Sequence, residues 1–271
     1  MEKETLKAAA NPAKANALVA EALSNDEPQI EPAKILAGSN IEVTLPGGYI
    51  TSAGEVYQTV EVKELNGRDE EYIAKVANTN KMYNAILTRG TVAVGDLPVT
   101  NDLLGRLLLG DRDAIMLGIF RATYGDTAEM GSWCNQCGNY HLVNIKVTED
   151  IKTKALLDPT NDRTFTVQGK NKEFLVTLPT GVTQGILLEL SNANSAEQLT
   201  ALLEQTVLEI DGKPVLSKLQ VQDLGIADRQ KIAEELAKRT PGPQWDDITL
   251  DCPDCSGELV VPISLGALFR F

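Results

Sequence analysis

The sequence predicts an α+β fold: tandem duplicated α/β units joined through four cysteines, with an extended N-terminal arm. Three observations predict it. All four cysteines fall into two CxxC pairs, Cys134–Cys137 and Cys252–Cys255, whose offset is 118 residues. Other landmarks recur at nearly that distance: Pro98-Val99 and Pro214-Val215 are 116 apart, and Asp111-Arg112…Ile115 and Asp228-Arg229…Ile232 are 117 apart. In both halves, stretches of β-like alternation are interleaved with stretches of helical periodicity.

The predicted parts are an arm over 1–40, a first α/β unit with its knuckle over 41–150, and a second over 151–271. The arm is rich in Ala, Glu, Lys and Pro with little apolar periodicity. It reads as helical at Asn16 to Leu23 and extended around Pro28 to Pro32, and as a segment that partners would hold. In the first unit, Ile41 to Leu45 alternates as a strand, and Pro46-Gly47-Gly48 reads as a turn. Glu55 to Leu65 reads as a second strand, broken at Asn66-Gly67. Asp69, Glu70 and Glu71 suit the positive end of a helix that carries Ile73, Val76 and Ala77 toward Leu87.

In the second unit, Ser195 and Gln198 fit a capping box ahead of Leu199, Leu202 and Leu203. Residues Glu209 to Lys213 fit a hairpin turn. Asp228 is placed to cap a last helix with Ile232, Ala233 and Leu236 on one face, and with Glu234/Lys238 and Glu235/Arg239 pairs on the other. Pro241-Gly242-Pro243 ends it. A further similarity, Val43-Thr44-Leu45-Pro46 with Val176-Thr177-Leu178-Pro179, is offset by 133, which implies about 15 additional residues in the first unit.

Each knuckle is followed by an alternating run: Val143, Ile145 and Val147 after the first, Leu259, Val261 and Ile263 after the second. Ile248 and Leu250 alternate before the second. Strand, CxxC turn, strand is the hairpin of a zinc ribbon. Four soft thiolates in two tight turns make the ligand set of a tetrahedral structural zinc, so Cys134, Cys137, Cys252 and Cys255 are the predicted metal ligands. A set of four fills the coordination sphere and leaves no position for water or substrate, which argues against a catalytic metal. A redox couple would need only one pair, at a helix start rather than between strands.

Composition narrows the function. The 271 residues are 43% hydrophobic but only 5% aromatic, enough for one large or two small domains with an aliphatic core. A net charge of −13 opposes nucleic-acid binding and docking on an anionic membrane. The charged start, Met1 to Lys7, lacks the apolar stretch of a secretion signal. The longest apolar region, Leu103 to Ala122, is interrupted by Gly105, Arg106, Gly110, Asp111, Arg112 and Asp113, too often for a membrane span. Folding in a cytoplasm, where thiols stay reduced, is the expectation. His141 is the single histidine, which limits acid–base catalysis. With four cysteines available it reads as an exposed strand residue. Asp111 reads as a helix cap, Arg112 as the partner of a carboxylate, and Asp69-Glu70-Glu71 as a helix-start cluster rather than a cation site. Trp133 and Trp245 read as packing over the zinc module.

Several of these motifs carry a resemblance. Leu45-Pro46-Gly47-Gly48-Tyr49, the run Val60 to Glu71, Leu107-Leu108-Leu109-Gly110-Asp111-Arg112, and Arg121-Ala122-Thr123-Tyr124-Gly125 ahead of Cys134 resemble the base-plate hub and hub-assembly family of T-even-type phages and its relatives. The similarity covers roughly residues 41–147, and the second knuckle is consistent with it. Gly47 departs from the pattern, where a serine-like residue is expected, and the arm has no counterpart. The resemblance implies a non-enzymatic structural or assembly component of a phage tail base plate. It would work in the host cytoplasm during assembly and in the virion tail, as an oligomer within an assembly, with other tail proteins as partners through the arm and without nucleic acid or membrane. The alternatives are a zinc-ribbon regulator bound to the transcription machinery and a metal-dependent enzyme.

Overall fold

The computed structural model describes residues 11–25, 38, 40–76 and 79–269. Helix α1 (Pro12–Asn25) is a unit of its own. Asn11 opens it by accepting from the amide of Lys14 at 3.2 Å, and Leu18 and Val19 are about half exposed. The helical part of the arm is therefore as expected. Its extended part, Pro28 to Pro32, lies outside the described residues.

The chain from residue 40 onward runs in two passes through one order of elements. The first pass is β1 (Ile41–Ile50), β2 (Val56–Val62), α2 (Gly67–Ala74), α3 (Thr79–Gly90), β3 (Thr91–Val94), β4 (Leu97–Pro98), α4 (Asn101–Arg106), α5 (Leu109–Tyr124), β5 (Thr127–Trp133), the first knuckle and β6 (Tyr140–Lys146). Helix α6 (Val147–Asp150) and β7 (Thr153–Lys154) lead into the second pass. This is β8 (Thr164–Gln168), β9 (Glu173–Thr177), α7 (Gly181–Glu189), α8 (Ser195–Thr206), β10 (Val207–Ile210), β11 (Lys213–Pro214), α9 (Lys218–Gln222) and α10 (Ile226–Arg239). Strand β12 (Gly242–Pro243) pairs with β7, and β13 (Ile248–Asp251), the second knuckle, β14 (Glu258–Val261) and α11 (Leu265–Phe269) complete it. Each pass builds an antiparallel four-stranded sheet in chain order, β1-β2-β3-β4 and β8-β9-β10-β11. The two CxxC ribbons, β5-β6 and β13-β14, form separate two-stranded sheets.

The cores follow the same correspondence. Val62, Leu87, Ile115 and Ile119 are fully buried in the first, and Val176, Leu203, Ile232 and Leu236 in the second. Each such side chain contributes about 1.5–3 kcal/mol of burial. A third cluster joins Leu117 and Phe120 of α5 to the inner faces of both ribbons. The landmark at offset 133 does not fit this order, because it compares β1 with the end of β9. The segment that matches the end of β9 is the end of β2, so that Asn66-Gly67 answers to Thr180-Gly181 at an offset of 114. That agrees with the offsets of the other landmarks and removes the need for an insertion at this point.

Local chemistry explains most boundaries and several departures. Asp211 and Gly212 both have positive φ, 49° and 72°, as the tight turn between β10 and β11 requires. Pro46-Gly47-Gly48 is not a turn between strands but a bulge inside β1, lying between the pairs Thr44–Thr59 and Tyr49–Tyr57. The single helix expected from Asp69 toward Leu87 is two, α2 and α3, packed on each other. Asn66 and Asp69 cap α2 reciprocally, and Asp69 also meets Arg89 at 2.6 Å and Lys63 at 3.5 Å. Burial works against the Asp69 carboxylate, but the Asn66 amide, Arg89 and Lys63 hold it below its ordinary pKa. Asn194, not Ser195, caps α8, while Gln198 donates to the carbonyls of Leu190 and Ala193. On α10, Glu235 takes both basic partners, Arg239 and, at 3.9 Å, Lys238. The Glu234–Lys238 pair is not formed.

The Asp-Arg pairs have a different role from the one expected. Leu108 and Gly225 stand at the N-cap positions of α5 and α10, which frees Asp111 and Asp228 to reach outward. Asp111 accepts from the amide of Gly47 at 2.6 Å, and Asp228 from that of Lys170 at 2.7 Å. Each aspartate thus ties the long helix of its pass to the first hairpin of that pass. Arg112 makes no direct ion pair among the described residues, although the charge of Asp113 acts on it. It donates to Leu104 O at 2.7 Å, Asn84 Oδ1 at 2.5 Å and Gln184 Oε1 at 2.8 Å. Arg229 repeats the scheme on Val221 O at 3.2 Å and Thr200 Oγ1 at 2.7 Å. Leu104 and Val221, like Asn84 and Thr200, occupy corresponding positions.

Gly47 is explained by the same contact. A Cβ there would stand 2.6 Å from Leu108 Cδ1 and 2.8 Å from Asp111 Oδ2, so a serine would displace the aspartate. Asp111 Oδ2 is buried without a hydrogen-bond partner. Burial pushes the Asp111 carboxyl up to about 7, against the Gly47 amide and the charge of Arg163. The folded chain therefore keeps this proton up to about pH 7, whereas an unfolded aspartate loses it near 4. Between those values the folded state binds the extra proton, so stability is greatest below the unfolded pKa and falls as pH rises through the folded one. Asp111→Asn is expected to flatten this fall, by about 4 kcal/mol in total. Denaturant melts of both proteins across that range would check it, and parallel curves would refute it.

Candidate metal centre

Each knuckle is built by its own backbone. Strands β5 and β6 pair from Thr127–Lys146 to Trp133–Tyr140, and β13 and β14 from Ile248–Val261 to Asp251–Glu258. At the tip of the first ribbon the amide of Cys134 donates to Asn139 O at 2.9 Å, and that of Gly138 to Cys134 O at 2.9 Å. In the second, Cys252 donates to Gly257 O at 2.7 Å and Ser256 to Cys252 O at 2.9 Å. Gly138 and Ser256, offset by 118, turn the chain with φ of 75° and 56°.

The two tips meet. Cys134 Sγ lies 3.6 Å from Cys255 Sγ, and Cys137 Sγ lies 3.7 Å from Cys252 Sγ. All four sulfurs are within 4.8 Å of one another, and all four cysteines are free thiols. A zinc–sulfur bond of about 2.3 Å gives a tetrahedron whose edges are about 3.8 Å, so the sulfur set fits zinc. The pairing is also pseudo-twofold: exchanging the first and second cysteines of one knuckle for those of the other turns each close pair into the other.

The thiols are electrostatically unequal. Amides of Cys137 and Gln136 pull the Cys134 thiol down to about 6. The Gly257 amide pulls on Cys255 in the same sense, but desolvation and the thiols of Cys252, Cys134 and Cys137 outweigh it and push Cys255 up to about 12. Four sulfurs this close cannot all ionise against one another, and a divalent cation among them would reverse the balance.

The surroundings hold the ribbons together. Ser132 Oγ on β5 donates to Val260 O on β14 at 2.5 Å. The Gln136 side chain closes over Gly257, where a Cβ would stand 1.9 Å from its Oε1. Cys134 and Cys252 are buried with Met130, Ile145, Leu259 and Val261.

His141 is not the exposed strand residue the sequence suggested. Its side chain is 12% exposed, with Nε2 3.3 Å from Cys252 Sγ and 3.7 Å from Asp254 Oδ2. A histidine there can donate to a metal-bound thiolate and orient it. The signal was present in the sequence, because His141 shares its strand parity with the inward Val143 and Ile145. Trp133 also departs from expectation. It is 66% exposed and lies against Tyr140 on the outer face of the ribbon, with ring centroids 5.2 Å apart. Trp245 does pack against the ribbon cluster, and its Nε1 donates to Asp113 at 3.3 Å.

In the comparison with protein families, the model of the T4 bacteriophage base plate protein family matches residues 40–270. The chain belongs to that family. The match takes in both four-stranded sheets and both knuckles of the base-plate protein, well beyond the stretch 41–147 in which the motif resemblance lies. No curated protein and no solved structure matches the chain. The motifs that carried the resemblance sit around the Gly47–Asp111 contact and the end of α5, so they are elements of the fold. Among the described residues, no helix is long and apolar enough to cross a membrane.

Proposed function

We propose that this base-plate protein is a non-enzymatic structural or assembly component of a phage tail base plate or hub, in which two copies of one α/β unit, 41–150 and 151–271, are clamped by a single structural zinc. The family match from residue 40 to residue 270 carries the base-plate reading. The repeated element order, the corresponding core residues and the twice-used Asp-Arg pair support the duplication. The convergence of Cys134, Cys137, Cys252 and Cys255 supports a zinc-ribbon-like site with zinc as its ion, and the four-sulfur set leaves it no reactive position. The metal is a brace here: it links the middle of the chain to its end without a substrate.

The partners in this reading are other tail proteins, engaged through the arm ahead of residue 41, and neither nucleic acid nor membrane. The protein acts in the host cytoplasm while the tail is built and stays with the virion tail. A mass-spectrometric inventory of purified particles and of tail-assembly intermediates tests this. The chain is expected among base-plate proteins, and deleting residues 1–37 is expected to remove it from them while the remainder stays folded. Absence from both particles and intermediates would refute the assignment.

A further inference from the structure

The two passes are joined by a short backbone clasp. The amide of Leu109 donates to Pro179 O at 3.0 Å, the amide of Gly181 donates to Leu107 O at 2.9 Å, and Leu108 bridges Thr180. Here the start of α7 closes on the start of α5. Gly181 is buried in the clasp, and a Cβ on it would stand 2.6 Å from Arg112 Nη1 and 2.7 Å from Leu104 O.

Both sides of this clasp occur a second time. The residues answering to Leu107–Leu109 are Leu224–Ile226, with Arg229 donating to Val221 O as Arg112 does to Leu104 O. Those answering to Pro179–Gly181 are Leu65–Gly67, the start of α2. Among the described residues the second set is not closed. Ile226 is 75% exposed, whereas its counterpart Leu109 is half-buried, and within the ten residues ahead of it in sequence Leu219 is 67% and Leu216 83% exposed. A Cβ on Gly67 would meet nothing within 4 Å, so no described contact of this chain requires glycine where its counterpart has no room for anything else. Next to Gly67 lies a groove of about 490 Å³, apolar along Leu65, Ile73, Met82 and Ile86 and polar at Asn66, Glu70 and Thr123.

We propose that the Leu65–Gly67 edge of one copy of this chain closes on the Leu224–Ile226 edge of a second copy, head to tail, as Pro179–Gly181 closes on Leu107–Leu109 inside the chain. The inference rests on the duplication proposed above. The contact is heterologous, so it propagates into a ring or an open row rather than stopping at a dimer. Ile226, Leu219 and Leu216 supply the apolar surface, and the groove beside Gly67 receives it.

Sedimentation velocity of the full chain across the micromolar range tests this with two variants. Ile226→Glu changes an exposed side chain. Gly67→Glu adds an acid to an open position in the first turn of a helix, where it is favoured. Both are expected to melt as the wild type does. The wild type is expected to gain mass with concentration, and each variant alone to remain monomeric. Their equimolar mixture is expected to form particles of twice the monomer mass and nothing larger, because each variant retains the edge that the other has lost. A wild type that stays monomeric, with this face reserved for another protein, would overturn the proposal. So would a Gly67→Glu protein that self-associates as the wild type does, or a mixture that stays monomeric. An experimental structure whose halves superpose while the chain stays monomeric would leave the duplication intact and remove only this contact.

Discussion

Cys252→Ser is expected to abolish stable zinc binding, from one ion per chain, and to unfasten both ribbons while the two four-stranded sheets remain. Cys252 is 2% exposed and stands 3.7 Å from Cys137 Sγ, so a hydroxyl there removes one of four strong ligands from a site with no spare sulfur. Structural zinc supplies about 10 kcal/mol or more of apparent binding energy in small zinc-dependent peptides. Strands β13 and β14 are four residues each, too short to hold as an isolated hairpin. The sheets have their own cores around Leu87 and Leu203, so they are expected to stay folded without the metal. Metal analysis together with hydrogen exchange checks this: protection is lost across 127–146 and 248–261 and kept in β1–β4 and β8–β11. The pseudo-twofold arrangement makes Cys134→Ser equivalent. A fully protected pair of ribbons in metal-free Cys252→Ser protein would show that packing alone closes them.

Arg112→Ala is expected to be the most destabilising change outside the cysteines, at about 3–5 kcal/mol. The Arg112 side chain is 2% exposed and satisfies three acceptors on three segments: Leu104 at the end of α4, Asn84 on α3 and Gln184 on α7. Its guanidinium also lies over the Tyr83 ring at 5.3 Å. Removing it leaves those acceptors buried and empties the space between α4, α5 and α7. Arg229→Ala is the natural control. Arg229 makes the corresponding bonds but is only half-buried, so water replaces it at a cost of about 1 kcal/mol. For a chain of this size the first variant is expected to melt about 10 °C lower, and the second only a few degrees lower. Equal losses at the two positions would mean that burial does not set the difference.

Much of this molecule could be read from its residues. The CxxC pairs with alternating flanks predicted two hairpins, and both formed. The hairpin turn at Asp211-Gly212 and the helices around Leu203 and Ile232 also followed from local pattern, because turn dihedrals and helical periodicity are set by residues close in the chain. The repeated Asp-Arg pairs were visible as a spacing, but their chemistry was not. A helix-start aspartate reads as a cap from sequence alone. That Asp111 instead reaches Gly47, 64 residues away, depends on how β1 is bulged and where α5 crosses it. The correspondence at offset 133 failed for a related reason. Four matching letters do not say which strand of a hairpin they occupy, and only the pairing of β9 with β10 and of β2 with β3 decides it.

What the sequence by itself determined is therefore the inventory: alternating strands and helices, four sulfurs in two turns, a net negative charge and a helical stretch in the N-terminal arm. What only the tertiary structure decided is the meeting of distant groups: the four sulfurs at one point, His141 against Cys252, Arg112 among three helices, and one clasp closed while its counterpart stays open. The reason is physical. Propensity and periodicity act over a few residues, whereas the partner of a buried polar group is whichever donor or acceptor the packing of remote segments brings within about 3 Å.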